Sequence, residues 1–90
     1  MLETRVTVVN RLGLHARAAA QLVRMAGHFA SRITIWRTDS SAWADAKSIL
    51  SLLTLSASVN TELLLKVEGS DEVEALEAIN RLFAGGFGEN

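Results

Sequence analysis

The sequence predicts an α+β domain, a two-layer sandwich in which four strands form one sheet and helices cover one of its faces. Three observations lead to this fold class. Ninety residues suffice for a single domain with one core layer. A hydrophobic fraction of 49% against 21% charged residues excludes a disordered chain. Segments with an apolar period of two alternate along the chain with segments of helical period, in the order β-α-β-β-α-β-α.

The first strand is predicted at residues 5–9, where Val6 and Val8 alternate with polar side chains. A period of two is typical of a strand with one buried face. Residues 10–14 form a short connection in which Gly13 is free to take a positive φ.

The first helix is predicted to begin at Ala16 and to end at Gly27. Its apolar residues recur at spacings of three and four: Ala19, Leu22, Val23, Ala26, Phe29 and Ala30. Residues 32–37 alternate again and predict the second strand, with Ile33 and Ile35 on its buried face.

The middle of the chain predicts shorter elements. Residues 38–41 have the composition of a turn. A weak edge strand is expected at residues 42–45, followed by a short leucine-rich helix from 47 to about 55. Residues 56–60 are read as a loop in which Asn60 tolerates the left-handed region.

The last strand, at residues 62–68, has the clearest alternation in the chain, with Leu64 as its one apolar exception. Its inward-facing residues are Leu63, Leu65 and Val67.

A final helix is expected after this strand, capped by the Ser70 side chain, with Asp71 and Glu72 at the positive end of its dipole. The apolar stripe of this helix comprises Val73, Leu76, Ile79, Leu82 and Phe83. Residues 1–84 are therefore predicted to form one domain, and residues 85–90 a flexible tail.

The composition excludes several classes of function. A net charge of -1 provides no basic field for nucleic acid. No apolar run approaches the roughly 20 residues that span a bilayer, so no membrane insertion is expected. The absence of cysteine excludes a disulfide framework, a zinc knuckle and a thiol nucleophile, and favours a cytoplasmic protein. We expect no metal and no cofactor.

His15 is the residue most suited to chemistry. It follows Gly13 and directly precedes the helix that begins at Ala16, so its ring lies where free N–H groups and the helix dipole favour an anion. Arg17 can offer a charge-assisted fork to the same anion. Because a neutral imidazole is a nucleophile near pH 7, this arrangement suggests a histidine that itself carries a phosphoryl group. His28 has no such neighbours and is read as an exposed residue at a helix end.

Three segments together resemble the signatures of the HPr family, the histidine-containing phosphocarriers of the bacterial sugar phosphotransferase system. They are Gly-Leu-His-Ala-Arg at 13–17, Ala-Lys-Ser-Ile-Leu at 46–50, and Glu-Gly-Ser-Asp-Glu at 68–72 followed by Ala-Leu at 75–76. The resemblance runs in order from about Leu2 to Phe83. It implies an open-faced β-sandwich with four strands and three helices, which agrees with the element order above.

The resemblance also implies roles for particular residues. His15 matches the histidine that accepts phosphate from phosphoenolpyruvate by way of Enzyme I and passes it to an EIIA domain. Arg17 matches the arginine that pairs with the phosphoryl group, and Ala16 lies beside it in the phosphate site. Ser48 matches the serine that HPr kinase/phosphorylase modifies in many bacteria. The protein would then be a relay substrate rather than an enzyme with turnover of its own.

A docking surface is also implied, comprising Ala20, Arg24, Lys47, Ile49, Leu50 and Leu53. A short helix buries only about a third of its circumference, so part of its leucine-rich surface must stay exposed. A plainer reading of Ser48 remains, because a serine that begins a helix is commonly an N-cap. The family usually has proline at the position of Ala18 and often asparagine at that of Asp45.

Two other functions remain open. A regulatory paralogue would signal through its phosphorylation state instead of serving sugar uptake. An acylphosphatase-like hydrolase would need an anion-cradling loop with an arginine and an asparagine that positions water, which Asn10 and Arg11 faintly suggest. We expect a monomer in each case.

Overall fold

The computed structural model describes residues 1–89. Four strands and three α-helices follow one another as β1 (Leu2–Thr7), α1 (Ala16–Ala26), β2 (Arg32–Arg37), β3 (Trp43–Asp45), α2 (Ile49–Leu53), β4 (Glu62–Glu68) and α3 (Glu72–Ala84), with a 3₁₀ turn at Gly86–Gly88. Over the described part of the chain, no helix is long and apolar enough to cross a bilayer.

The four strands form one antiparallel sheet in the order β1-β4-β2-β3. The predicted strand β4 has the bounds expected from the sequence and lies between β1 and β2, so that Val67 faces Leu2 on one side and Ile33 on the other. The short strand β3 lies at the edge, as predicted.

The hydrophobic core lies between the sheet and the helices. Val6, Ile33, Ile35, Leu63, Leu65 and Val67 are buried on the inner face of the sheet. Helices α1 and α3 bury the apolar faces whose residues include Ala18, Ala19, Leu22, Ala75, Ile79 and Phe83. On the opposite face of the sheet, which carries no helix within residues 1–89, Trp36 stacks on Trp43, and Lys66 lies over the Trp36 ring. The predicted fold class is confirmed.

Some element boundaries differ from those predicted. The first strand covers Leu2–Thr7 instead of residues 5–9, because its register with β4 begins at Leu2. Helix α2 is shorter than predicted and covers Ile49–Leu53, bounded by Ser48 and Thr54 as its caps. Asn60 has a positive φ of 74°, as the sequence predicts.

The start of α3 was expected to be capped by Ser70, and this expectation is wrong. Asp71 occupies the N-cap position, and its side chain makes no capping bond within the helix. Instead its carboxylate accepts hydrogen bonds from the backbone N–H groups of Ala30 and Ser31 at 2.8 and 2.9 Å and from the Ser31 hydroxyl. These bonds hold the pKa of Asp71 below its usual value, and the bond from the Ser31 hydroxyl has the largest effect. Asp71 therefore ties α3 to the start of β2.

The apolar stripe of α3 also differs from the prediction at one position. Val73 is 52% exposed, whereas Ala75 and Ala78 are buried. The buried face of the helix thus combines the small residues Ala75 and Ala78 with the large residues Ile79 and Phe83.

The segment that the sequence predicts to be a flexible tail folds back onto the domain over residues 85–89; residue 90 lies outside the described residues. Phe87 is 3% exposed, and its ring meets that of Phe83 edge-on with centroids 5.1 Å apart. The single apolar side chain in a glycine-rich stretch shows no periodicity, so its burial cannot be read from the sequence.

Candidate functional site

The loop before α1 is held tightly against a neighbouring loop. Gly13 has a φ of +70°, and a Cβ built on it would lie 2.6 Å from the carbonyl oxygen of Ala57. The N–H of Leu14 donates to that same carbonyl at 2.8 Å, and the side-chain amide of Asn10 donates to the Gly13 carbonyl at 2.8 Å. Only a residue without a side chain allows this close approach with this backbone. The loop thereby places the next residue, His15, at the helix entrance.

His15 is the N-cap of α1. Its backbone is extended, with φ -79° and ψ -177°, and its carbonyl accepts the first helical hydrogen bond from Ala19 at 2.8 Å. The ring turns back over the helix end, so that Nδ1 accepts from the backbone N–H of Arg17 at 3.4 Å. The ring therefore lies where unpaired amides and the helix dipole favour negative charge.

A carboxylate occupies the other side of the ring. Oε2 of Glu89 lies 2.6 Å from His15 Nε2 and 3.6 Å from Nε of Arg17. The side-chain amide of Asn10 donates to the other carboxylate oxygen, Oε1, at 3.0 Å. The Asn10 hydrogen bond, followed by that of His15, holds the pKa of Glu89 below its usual value.

The two hydrogen bonds of the His15 ring require the same tautomer. A carboxylate can only accept, so Nε2 must carry the proton that it donates to Glu89. The amide of Arg17 can only donate, so Nδ1 must carry a lone pair. Nδ1 is therefore the nitrogen that carries the lone pair, and it faces the end of the helix.

The exposure of the site residues suits transfer to another molecule. The His15 side chain is 26% exposed and that of Arg17 is 70% exposed. Ala16, which the resemblance assigns to the phosphate site, is exposed in the first turn between them. The guanidinium of Arg17 is largely exposed, and its Nε lies 3.6 Å from the Glu89 carboxylate. His28 is exposed beyond the end of α1.

Ser48 is the N-cap of α2, with its hydroxyl accepting from the N–H of Ser51 at 3.2 Å. The hydroxyl of Ser51 in turn accepts from the N–H of Asp45 at 2.9 Å, and the Asp45 carboxylate accepts from the N–H of Lys47 at 2.9 Å. The Lys47 ammonium donates to the carbonyl of Phe29 at 2.7 Å. The structure thus shows the capping role of Ser48 that the sequence left open, with the side chain partly exposed.

The expected exposure of the α2 apolar residues is found. Ile49, Leu50 and Leu53 are 40%, 78% and 37% exposed, whereas Leu52 and Leu55 are buried in the core. Leu53 lines a shallow pocket together with His15 and the exposed Leu12. The apolar surface of α2 therefore continues to the edge of the histidine site. The docking residues that the resemblance places on α1 lie as follows: Ala20 is half-buried and Arg24 is exposed.

Sequence reasoning missed Leu12 and Glu89 at this site, and it named Asn10 only for the hydrolase alternative. Asn10 bears on the hydrolase alternative, because it is only 2% exposed and its amide nitrogen is held by Gly13 and Glu89. The side chain of Asn10 is therefore buried and its amide nitrogen is held within the protein. No local signal in the sequence indicates Glu89, which lies 74 residues from His15.

Comparison with known proteins agrees with this fold. The family model described as "PTS HPr component phosphorylation site" matches residues 2–85. The phosphocarrier protein HPr of Cupriavidus necator is 42% identical over 89 residues, which cover 99% of this chain and 98% of that protein. The fold and these similarities define a small phosphocarrier.

The chain belongs to the HPr family of the phosphotransferase system. Two solved structures bear on its fold and function. The crystal structure of HPr-C-His from Thermoanaerobacter tengcongensis superposes with a TM-score of 0.92 at 37% identity and covers 100% of this chain and 99% of that one. Crh, the catabolite repression containing protein of Bacillus subtilis, described as a swapped-domain dimer, superposes with a TM-score of 0.74 at 35% identity and covers 96% and 97% of the two chains.

Proposed function

We propose that this protein accepts a phosphoryl group on His15 from Enzyme I, which takes it from phosphoenolpyruvate, and passes it to an EIIA domain. The observation that carries the proposal is the His15 ring at the N-terminus of α1, with its unprotonated Nδ1 facing the amide of Arg17. A relay that draws on phosphoenolpyruvate belongs in the cytoplasm.

The transfer step follows from this geometry. The lone pair of Nδ1 attacks phosphorus, and the Nδ1–phosphorus bond forms as the bond to the donor breaks, with its electron pair leaving on the donor. The phosphoryl oxygens then lie at the helix end, where the Arg17 amide and the helix dipole stabilise their charge. The exposed guanidinium of Arg17 can add a bidentate contact to the same oxygens. Transfer to an EIIA domain is the same step in reverse.

The docking surface in this proposal is the exposed apolar part of α2, formed by Ile49, Leu50 and Leu53, and its continuation through Leu12 to His15. Exposed apolar residues next to a reactive group favour a partner that closes over the site and excludes water. Ala20, Arg24 and Lys47 extend this surface along α1 and the start of α2.

Regulation at Ser48 is the second part of the proposal. The hydroxyl is partly exposed at the start of α2 and adjoins the apolar docking residues Ile49 and Leu50. A phosphoryl group there would add roughly -1.5 to -2 charges beside the surface that partners contact. HPr kinase/phosphorylase is the proposed modifying enzyme. Asp45 already places a negative charge in the same hydrogen-bonded turn. Modification of Ser48 therefore requires a kinase that accepts an acidic residue near the serine.

A regulatory paralogue is the second candidate function. It is favoured by the similarity to Crh, whose printed name refers to catabolite repression. In that case phosphorylation of Ser48 by a kinase would be efficient, whereas transfer from His15 to EIIA domains would be slow. Size-exclusion chromatography with light scattering tests the expected monomer against a dimer such as that described for Crh.

The deciding experiment is incubation with phosphoenolpyruvate, magnesium and Enzyme I, followed by intact-mass measurement. We expect the addition of one phosphoryl group, which is lost in acid as a phosphoramidate is. His15→Ala should abolish the addition, and His28→Ala is the matched control that should retain it. An acid-stable product, or one that depends on His28, would exclude His15 as the acceptor.

A further inference from the structure

Glu89 is the only described acidic residue that contacts the His15 ring, and it lies beyond residue 85, where the match to the family model ends. Its carboxylate bridges three groups: the His15 ring at 2.6 Å, the Asn10 amide at 3.0 Å and the Arg17 guanidinium at 3.6 Å. Its side chain is 15% exposed, so solvent screens these contacts only in part.

Contacts of Phe87 and Asn10 fix the position of Glu89. Phe87 has a positive φ of 56°, which is uncommon for a residue with a side chain, and its ring is buried against Phe83. The burial of the ring holds this backbone in place and turns the next residues toward α1. Asn10, itself 2% exposed, then holds the carboxylate from the other side.

We propose that Glu89 is a positioning residue for phosphoryl transfer, whose carboxylate holds the Nε2–H of His15 so that Nδ1 presents its lone pair to phosphorus. This inference rests on the proposed function of His15. As the Nδ1–phosphorus bond forms, the ring gains positive charge while its proton stays on Nε2. The hydrogen bond to a carboxylate at 2.6 Å therefore strengthens during the step, and Glu89 remains ionised throughout.

Repulsion between Glu89 and the incoming phosphoryl group opposes this effect, but it acts over a longer distance. The carboxylate is bound to Nε2, whereas the phosphoryl group is attached to Nδ1 on the opposite side of the ring. The direct contact is a hydrogen bond and the shorter of the two, and the Arg17 guanidinium, 3.6 Å from the carboxylate, offsets part of the repulsion, so we expect stabilisation of the charged ring to be the larger effect.

The first test needs no partner protein. Nitrogen-15 NMR of the unphosphorylated protein, at a pH where the ring is neutral, should show Nδ1 unprotonated and Nε2 protonated in the wild type. In Glu89→Ala the two shifts should move toward each other, because both tautomers become populated. Glu77→Ala is the matched control, since Glu77 is exposed on α3 and makes no hydrogen bond or ion pair within residues 1–89. Its His15 shifts should equal those of the wild type.

The second test is the initial rate of phosphoryl transfer from Enzyme I. Glu89→Ala should slow it about tenfold, the effect of losing a hydrogen bond to a charged group. Glu89→Gln, which keeps an acceptor oxygen without the charge, should retain the wild-type tautomer and recover part of the rate. Wild-type shifts in Glu89→Ala, or a wild-type rate despite altered shifts, would overturn the proposal. Failure of the wild type to accept a phosphoryl group would instead refute the proposed function, and the NMR result would still report whether Glu89 sets the tautomer.

Discussion

Replacement of Gly13 by alanine tests how the loop before α1 positions His15. Gly13 combines a φ of +70° with a close approach to another loop, because a Cβ would lie 2.6 Å from the Ala57 carbonyl oxygen and 2.9 Å from the Cα of Ser58. Both atoms belong to the backbone and cannot rotate away. The Gly13→Ala variant must therefore open the contact between the two loops, and with it the hydrogen bond from Leu14 to Ala57.

The expected loss of stability has two parts. Holding alanine in the left-handed region costs about 1–2 kcal/mol. Loss of the Leu14–Ala57 hydrogen bond adds about 1 kcal/mol. The entropy that alanine removes from the unfolded chain offsets about 0.4–1 kcal/mol. The net loss is about 2 kcal/mol, which in a domain of this size lowers Tm by about 8–16 °C.

Gly88→Ala is the matched control. Gly88 has nearly the same φ, +73°, but a Cβ there would have no atom within 4 Å. Both variants share the backbone strain and the unfolded-state effect. The difference between their losses in the free energy of unfolding therefore measures the loop contact alone, and we expect it to be about 1 kcal/mol or more. Urea unfolding followed by the fluorescence of Trp36 and Trp43 gives both values. Equal losses in the two variants would refute the reasoning, because the contact with Ala57 would then contribute nothing.

Four further predictions concern the site and its supports. Arg17→Ala should slow phosphoryl transfer from Enzyme I by tens- to hundreds-fold in stopped-flow assays while leaving Tm unchanged, and Arg17→Lys should recover only part of the rate. Ser48→Asp should retain the Tm, because a carboxylate suits an N-cap, but should slow transfer more at low than at high salt. Phe87→Ala should cost about 3–5 kcal/mol in urea unfolding, since a buried aromatic ring is lost. Asp71→Asn should lower Tm near neutral pH and much less in acid. The pKa of Asp71 in the folded state lies below its ordinary value. The ionised carboxylate therefore stabilises the fold at a pH above the unfolded-state pKa, and this stabilisation is lost as the pH falls through the folded-state pKa.

Each of these predictions has an outcome that contradicts it. Unchanged transfer in Arg17→Ala would show that the backbone amides suffice for the phosphoryl group. Wild-type transfer in Ser48→Asp at low salt would place Ser48 outside the docking surface, with Ser48→Ala as the neutral control. A loss in Phe87→Ala below about 1 kcal/mol would mean that residues 85–89 add little to the fold. A difference in Tm between wild type and Asp71→Asn that persists below about pH 2 would assign the stabilisation to something other than the ionised carboxylate.

The parts of the fold that follow from local pattern could be predicted. Strand β4 has the expected bounds because Leu63, Leu65 and Val67 alternate without interruption. Helix α1 begins at the expected residue since the change of period and the capping His15 coincide. The cap of α3 could not be predicted in the same way. Ser70 and Asp71 are both good capping residues, and the choice between them depends on Ser31, which only the pairing of β2 with β4 brings near.

For the candidate site too, contacts between residues near in sequence could be predicted and contacts between distant residues could not. His15 and Arg17 are two residues apart, so their relation to the helix end depends on local geometry alone, and the sequence predicts it. Glu89 reaches the ring from the end of the chain, and the Asn10 amide that holds its carboxylate is 79 residues away in sequence. A contact at that separation leaves no periodic or spacing signal.

The sequence by itself determined the element order, the inward faces of the strands, the position of a histidine at a helix N-terminus and the resemblance of the chain to a phosphocarrier. Only the tertiary structure decided which nitrogen of His15 holds the lone pair, because the tautomer depends on what each nitrogen meets in space. It also decided that residues 85–89 belong to the domain. The Phe87 ring is buried against Phe83, and this burial depends on the space that Phe83 and the loop before α1 leave open, which is a property of the whole fold.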